Sequence, residues 1–307
     1  MQTYILRRLL MFIPVMLAVY TLVFIVMHAT PGGPWDNTER PLPPAVLNNL
    51  RAKYGLDEPL YRQYGLYLWG IVTRFDFGPS LKGGRDANQI IRDTFPVSLQ
   101  LGLAAFVVSL VAGITLGIIA ALRQNSWLDY STMLFSVIGV STPAYVITTL
   151  LIVWLAISWR LVPTGGWGGL FDERAIIPVF TLALGPTAIL ARYTRSSLLE
   201  VIGADYVRTA RAKGLRGRLV ILRHALPNAL IPVLTLIGPI LTTLITGSFF
   251  VESISQVPGL GRFFVRSVTD LDYSVLIATT LLYAAIIWLM NFVIDILYSY
   301  IDPRVRY

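Results

Sequence analysis

Residues 9–29 read LLMFIPVMLAVYTLVFIVMHA, a run without a single charged side chain. At a rise of roughly 1.5 Å per residue, such a helix is about 31 Å long. That is the thickness of a bilayer's hydrocarbon core, roughly 30 Å. Its apolar core is longer than the roughly 7–15 residues of a signal-peptide h-region, so it reads as a retained span. Further charge-free runs cover residues 95–122, 130–158, 175–191, 229–251 and 273–294. The expectation is an all-α integral membrane protein with six transmembrane helices.

The composition agrees. Hydrophobic residues make up 55% and charged residues 14%, against roughly a quarter charged in soluble domains. Mean hydropathy is +0.66. The chain has no cysteine, which excludes disulfides, thiolate metal sites and iron–sulfur clusters. Its two histidines, His28 and His224, are far apart in sequence, so a His-based metal site is not expected.

The net charge of +8 has to be located before it is interpreted. With both termini cytoplasmic, the inner connections carry Arg7, Arg8, Arg123, eight cations between Arg192 and Arg223, Arg304 and Arg306. The short outer loops carry Arg160, Arg174, Arg262 and Arg266. The eight cations of the long 31–94 segment weigh little in setting topology. Acids cancel the outer cations, while inside there are Asp129, Glu200, Asp205 and Asp302, with Asp295 in the last span. The basic excess is a feature of the inner membrane surface, and a nucleic-acid partner is not expected.

Pro143, Pro178, Pro186, Pro232 and Pro239 interrupt the backbone ladder inside the spans. Gly102, Gly113, Gly117, Gly139, Gly238 and Gly247 provide small surfaces for close helix approach. These features fit either kinked, tightly packed helices or a bundle that rocks between two states. In the 31–94 segment, Pro43-Pro44 opens a short amphipathic helix ending at Gly55, and a second follows Pro59. Phe75-Asp-Phe-Gly-Pro-Ser80 reads as a turn and Lys82-Gly-Gly-Arg85 as a mobile tip. The chain thus divides into 1–94, the first span with its outer segment, and 95–307, a five-helix core with a basic loop at 192–228.

That loop carries most of the functional information. Asp205 suits an N-cap, 206–213 has helical character, and Gly214 suits the left-handed residue after a helix. Leu215 would supply the apolar contact that accompanies such a cap. A second short helix is expected over 218–225, stopped by Pro227. Arg208, Arg211 and Lys213 project from the first helix. The loop serves either to anchor two spans by its positive charge or to dock a cytoplasmic partner.

The loop resembles the signature of ABC-importer permeases: Glu-Ala-Ala, three residues, Gly, nine residues, Ile, one residue, Leu-Pro. Arg208, Thr209 and Ala210 stand in the first three places, followed by Gly214, His224 and Leu226-Pro227. Arg replaces the Glu and His the Ile, so the contact made by the family's Glu is not carried over. Tyr206-Val-Arg-Thr-Ala-Arg-Ala-Lys-Gly-Leu215 is similar to the peptide/nickel branch. So are Tyr4-Ile-Leu-Arg-Arg-Leu, Tyr54-Gly-Leu-Asp-Glu-Pro59, Asp76-Phe-Gly-Pro-Ser80, Phe95-Pro-Val-Ser98, the Glu252 to Gly261 run and Ile301-Asp-Pro-Arg-Val-Arg-Tyr307. The whole chain most resembles the B-type subunits of oligopeptide permeases.

The resemblance implies a type I importer in the cytoplasmic membrane of a bacterium or archaeon. Its parts would be this chain, a second homologous permease subunit, two ABC ATPases and an extracytoplasmic binding protein. Asp205 to Gly214 would form the coupling helix. ATP and Mg would belong to the ATPases, since no Gly is followed by Lys in this chain and the phosphate-loop motif is therefore missing. The cargo would be oligopeptides, with dipeptides, glutathione or nickel complexes as alternatives.

Two other classes fit the sequence less well. An ion-coupled carrier places acids or His within its spans; here Asp295 and His28 lie near span ends, and Asp295 is expected to pair with an Arg. An intramembrane hydrolase would need more than Gly247-Ser248. Candidate path-lining residues are Ser141, Thr142, Thr242, Thr243, Thr246 and Ser248, each equally suited to interhelical hydrogen bonding. Residues 75–92 and 252–272 are the expected surface for the binding protein.

Overall fold

The computed structural model describes residues 2–35, 43–82, 84–246 and 248–301, with side chains from 6 to 296 within those stretches. Gly83, Gly247 and the closing Asp-Pro-Arg-Val-Arg-Tyr motif lie outside the described residues, as do Asp36 and Glu39. Every regular element described is helical. The order is α1 (Gln2–Ala29), α2 (Pro44–Lys53), α3 (Leu60–Arg74), α4 (Ala87–Leu122), α5 (Trp127–Ser141) and α6 (Ala144–Leu151). Then come α7 (Ile176–Ile202), α8 (Asp205–Ala212), α9 (Gly217–Val220), α10 (Leu226–Thr246), α11 (Phe249–Ile254), α12 (Leu260–Thr269) and α13 (Tyr273–Ile301).

Five helical runs are long and apolar enough to cross a membrane, and a bent pair makes a sixth if counted as one span. The bent pair is the third expected span. α5 and α6 meet at 106° because Pro143 offers no N–H and pushes Thr142 into extended backbone, φ −95° and ψ 123°. Pro14, Pro96, Pro186, Pro232 and Pro239 are instead carried inside continuous helices. α4 begins at Ala87 and α7 ends at Ile202, both beyond the charge-free limits. Charged residues bound the lipid-facing stretch, whereas the backbone helix continues past it.

Packing groups the chain into residues 1–98 with 258–307, and residues 99–257. In the first unit Tyr20, Val23, Phe24 and Met27 of α1 are buried with Tyr273, Ile277 and Leu281 of α13. One face of α3 packs onto this core through Tyr64, Tyr67, Leu68 and Ile71, and Tyr20 donates to the Tyr64 carbonyl at 2.8 Å. Toward the other end, Arg8 pairs with Asp295 as expected. Asp272, buried just before α13, accepts from Ser80 Oγ (2.5 Å) and from the N–H groups of Leu81 (3.2 Å) and Val275 (3.4 Å). It thereby caps α13 and fastens the 75–86 turn in one step.

Of the mobile tip expected at 82–85, Gly83 lies outside the described residues, and the flanking residues make bonds of their own. Gly78, at φ +77°, donates to Asp76, and Pro79 bridges Asp86. Lys82 pairs with Asp270 and Arg85 with Asp93.

In the second unit glycines set the helix spacing. A Cβ on Gly117 of α4 would lie 2.6 Å from both the Ala191 carbonyl oxygen and Thr194 Cβ of α7. Gly113 meets Leu190 and Thr187 as closely, Gly102 meets Leu244 of α10, and Gly139 of α5 meets Leu184 and Ala188. A Cβ on Gly185, by contrast, would find its nearest neighbour at 3.6 Å.

Gly117→Ala should lower the melting temperature of the purified chain in detergent, since overpacking costs roughly 1–3 kcal/mol. Gly185→Ala should leave it level or higher, because Ala is otherwise the better helix former by roughly 0.5–1 kcal/mol. Asp272→Ala should expose 75–86 to limited proteolysis, with each orphaned buried donor costing about 1–3 kcal/mol.

Candidate functional site

After α7 ends at Ile202 the chain turns through Gly203 and Ala204 into α8. The N-cap is Ala204, not Asp205: the Ala204 carbonyl accepts from the N–H groups of Val207 (3.1 Å) and Arg208 (3.2 Å). Asp205 therefore sits inside the first turn, where its charge meets the positive end of the helix dipole, and it pairs with Arg208 at 3.5 Å. Gly214 takes the left-handed conformation expected of it, φ +77°, and its N–H bonds to the Arg211 carbonyl at 2.9 Å. Leu215, expected to supply the apolar contact after the cap, is 36% exposed.

Val207 and Ala210 anchor the helix to the bundle. They are 0% and 6% exposed and sit in an apolar socket of Ala121, Leu198, Val220, Ala225 and Ala229. The opposite face of α8 presents Tyr206, Arg208, Thr209 and Arg211, with Lys213 beyond it, all exposed. Thr209 donates its hydroxyl back to the Asp205 carbonyl at 2.9 Å. The Asn228 amide donates to the Tyr206 hydroxyl (3.0 Å) and to the His224 carbonyl (3.1 Å), tying α8 to the start of α10.

The helix expected to stop at Pro227 does not stop there. α9 passes through a π-helical turn, Ile221–Ala225, directly into α10, with Leu226-Pro227 in its first turn. Because the helix runs on through this point, Pro227 leaves a gap in a continuous ladder, and the π turn just before it absorbs the shift in register. His224 lies within that turn.

The path candidates separate by burial. Thr242, Thr246 and Ser248 are buried; their hydroxyls donate to the Gly238 carbonyl (3.0 Å), the Thr242 carbonyl (2.8 Å) and the Glu252 carboxylate. Thr243 is exposed while bonding the Pro239 carbonyl at 2.9 Å. Ser141 is exposed and Thr142 half-buried, both at the α5–α6 bend. Glu252, placed by its charge in an outer loop, is instead fully buried within α11. Ser248 stands four residues before it, the helical spacing that could have revealed the pair.

Sequence reading also missed an ion pair. Asp129, in the first turn of α5, receives both Nε and Nη2 of Arg195 on α7, the latter at 2.7 Å. The signal was available: opposite charges at the inner ends of two apolar helices are expected to pair.

Residues 113–307 match the family described as "Binding-protein-dependent transport system inner membrane component", and residues 1–102 match its N-terminal companion. The chain is 43% identical over 307 residues to the dipeptide transport system permease protein DppB of Bacillus subtilis, covering 100% of this chain and 98% of that one. It is 42% identical over 308 residues to the oligopeptide transport system permease protein OppB of Escherichia coli K12, covering 100% of both. Among solved structures, an inward-facing MetNI methionine ABC transporter aligns with TM-score 0.56 at 16% identity, over 70% of this chain and 97% of that one. An amino acid ABC transporter aligns with TM-score 0.50 at 18% identity, over 71% and 95%. At those identities the likeness is one of fold, the type I importer permease fold. The five apolar spans and the bent sixth, the shared fold and the full-length relatives lead to one assignment: the chain is a multi-pass protein of the bacterial inner membrane and belongs to the family of binding-protein-dependent transport system inner membrane components.

Proposed function

We propose that this chain is a transmembrane permease subunit of an ATP-driven importer that passes peptides from an extracytoplasmic binding protein into the cytoplasm. Its relatives named for oligopeptide and dipeptide transport support a peptide cargo. Oligopeptides are the first reading. Dipeptides are the second, favoured by the Bacillus subtilis relative. The chain itself performs no catalysis. A second homologous permease completes the path, and two ATPases hold the ATP and Mg.

One observation carries the mechanism: α8 is two-sided. Its inner face is fixed in an apolar socket and its outer face is exposed and basic. About 12 Å long at the usual rise, it is short enough to sit in a cleft of an ATPase and rigid enough to pass on a rigid-body shift. In this reading Arg208, Arg211 and Lys213 meet the ATPase, while Val207 and Ala210 carry the displacement into the bundle. Ser141, Thr142 and Thr243 belong to the surface along which cargo moves. Thr242, Thr246 and Ser248 support that wall by packing.

Gly214→Pro tests the docking. Proline fixes φ near −65°, against the +77° observed, and removes the N–H that closes α8. Tagged wild-type chain, co-expressed with its transporter subunits, should retain the ATPases on purification. The Gly214→Pro chain should reach the membrane in comparable amount but lose most of them. Equal recovery of ATPases with both chains would contradict the coupling role.

A further inference from the structure

The Asp129–Arg195 pair lies next to the socket of α8, and the coupling reading gives it no part. Asp129 is 1% exposed. Its carboxylate takes two donors from one guanidinium and a third from the Asn125 N–H at 3.0 Å. Asn125 lies in the α4–α5 turn at φ +60°. One carboxylate therefore fixes three things at once: the turn, the start of α5 and α7. Arg195 precedes Leu198, a wall of the α8 socket, by one helical turn along α7. Farther along, α5 rests Gly139 against Leu184 and Ala188 of the same helix, and then reaches the 106° bend at Thr142-Pro143.

Stability alone does not account for this arrangement. A buried ion pair is commonly no more stabilising than well-packed apolar residues of the same volume. A bidentate guanidinium–carboxylate pair differs in fixing direction as well as distance. Resting on the coupling reading above, the geometry points to Asp129 and Arg195 as a positioning pair that makes α5 follow the coupling helix, so that a displacement of α8 reaches the α5–α6 bend. α7 is the shared spine: α8 is seated on it at Leu198, and α5 is clamped to it at Arg195 and rested on it at Gly139. Without the clamp, α7 and α8 would still move with the ATPase, and α5 would lag.

The test is stoichiometric. The whole transporter is purified with its partner subunits, reconstituted in proteoliposomes with the binding protein, and assayed for peptide uptake and ATP hydrolysis together. Two variants are read. Arg195→Lys keeps the charge but loses the fork. The double variant Asp129→Asn with Arg195→Gln removes both charges and leaves neither stranded. Both should assemble and hydrolyse ATP, with uptake per ATP falling at least tenfold in the double variant and by a smaller factor in Arg195→Lys. An unchanged ratio in assembled complexes overturns the proposal. Failure of both variants to assemble also overturns it, because the pair's role is then structural. If the wild-type chain recruits no ATPase, the coupling reading itself fails, and this proposal with it.

Discussion

Inside a bilayer no water competes for backbone N–H and C=O groups, and each unpaired group costs several kcal/mol. That constraint makes the helix obligatory in every span of this chain and gives meaning to the few places where the ladder is interrupted. There are few such places among the described residues of 99–257. They include the break at Thr142-Pro143, the π-helical stretches Ile152–Ser158 and Ile221–Ala225, and the left-handed turn at Gly214. Between these points the spans run as helix, brought close at Gly102, Gly113, Gly117 and Gly139, where a Cβ would run into a neighbouring helix. Where ridges and backbone touch so tightly, a helix moves as a body, and displacement concentrates at the interruptions.

The α8 region shows how a short element can be made reliable under that constraint. An isolated two-turn helix is unstable in water, because nucleation is costly and propagation too brief to offset it. Here burial of Val207 contributes on the order of 1.5–3 kcal/mol, and closure at Gly214 supplies a backbone hydrogen bond without strain. Small residues line the socket, Ala121, Ala225 and Ala229 among them, so the helix sits close to its support. Long cations occupy only the outer face. The division of labour is physical: packing fixes where α8 is, and charge determines what can approach it.

Much of this was legible in the sequence. Charge-free length revealed the spans, positive charge located the loop, and the Asp205 to Gly214 pattern announced a short capped helix. What escaped had identifiable causes. Ala204 rather than Asp205 caps α8, because its carbonyl takes the first helical hydrogen bonds whatever side chain follows. Pro227 did not stop a helix, because a π turn shifted the ladder before it, and no residue pattern marks such a turn. Pro143 broke its span while Pro186 and Pro239 did not, a difference that residue type alone does not mark. Hydroxyls at 242, 246 and 248 could have faced a path or a neighbour, and only the rotation of α10 and α11 showed them buried. Asp129 and Arg195 are 66 positions apart, so only their shared place at the inner ends of two spans, and no local pattern, could have linked them.

The account stands on one orientation of α8: Val207 inward, Arg211 outward toward an ATPase. Because the chain contains no cysteine, each position can be tested with a single introduced thiol. Arg211→Cys and Val207→Cys would be labelled with a short photo-crosslinker in native membranes containing the whole transporter. The account predicts that position 211 captures an ATPase subunit, whereas the buried thiol at 207 is labelled poorly and captures none. Capture from 207 and none from 211 would contradict it.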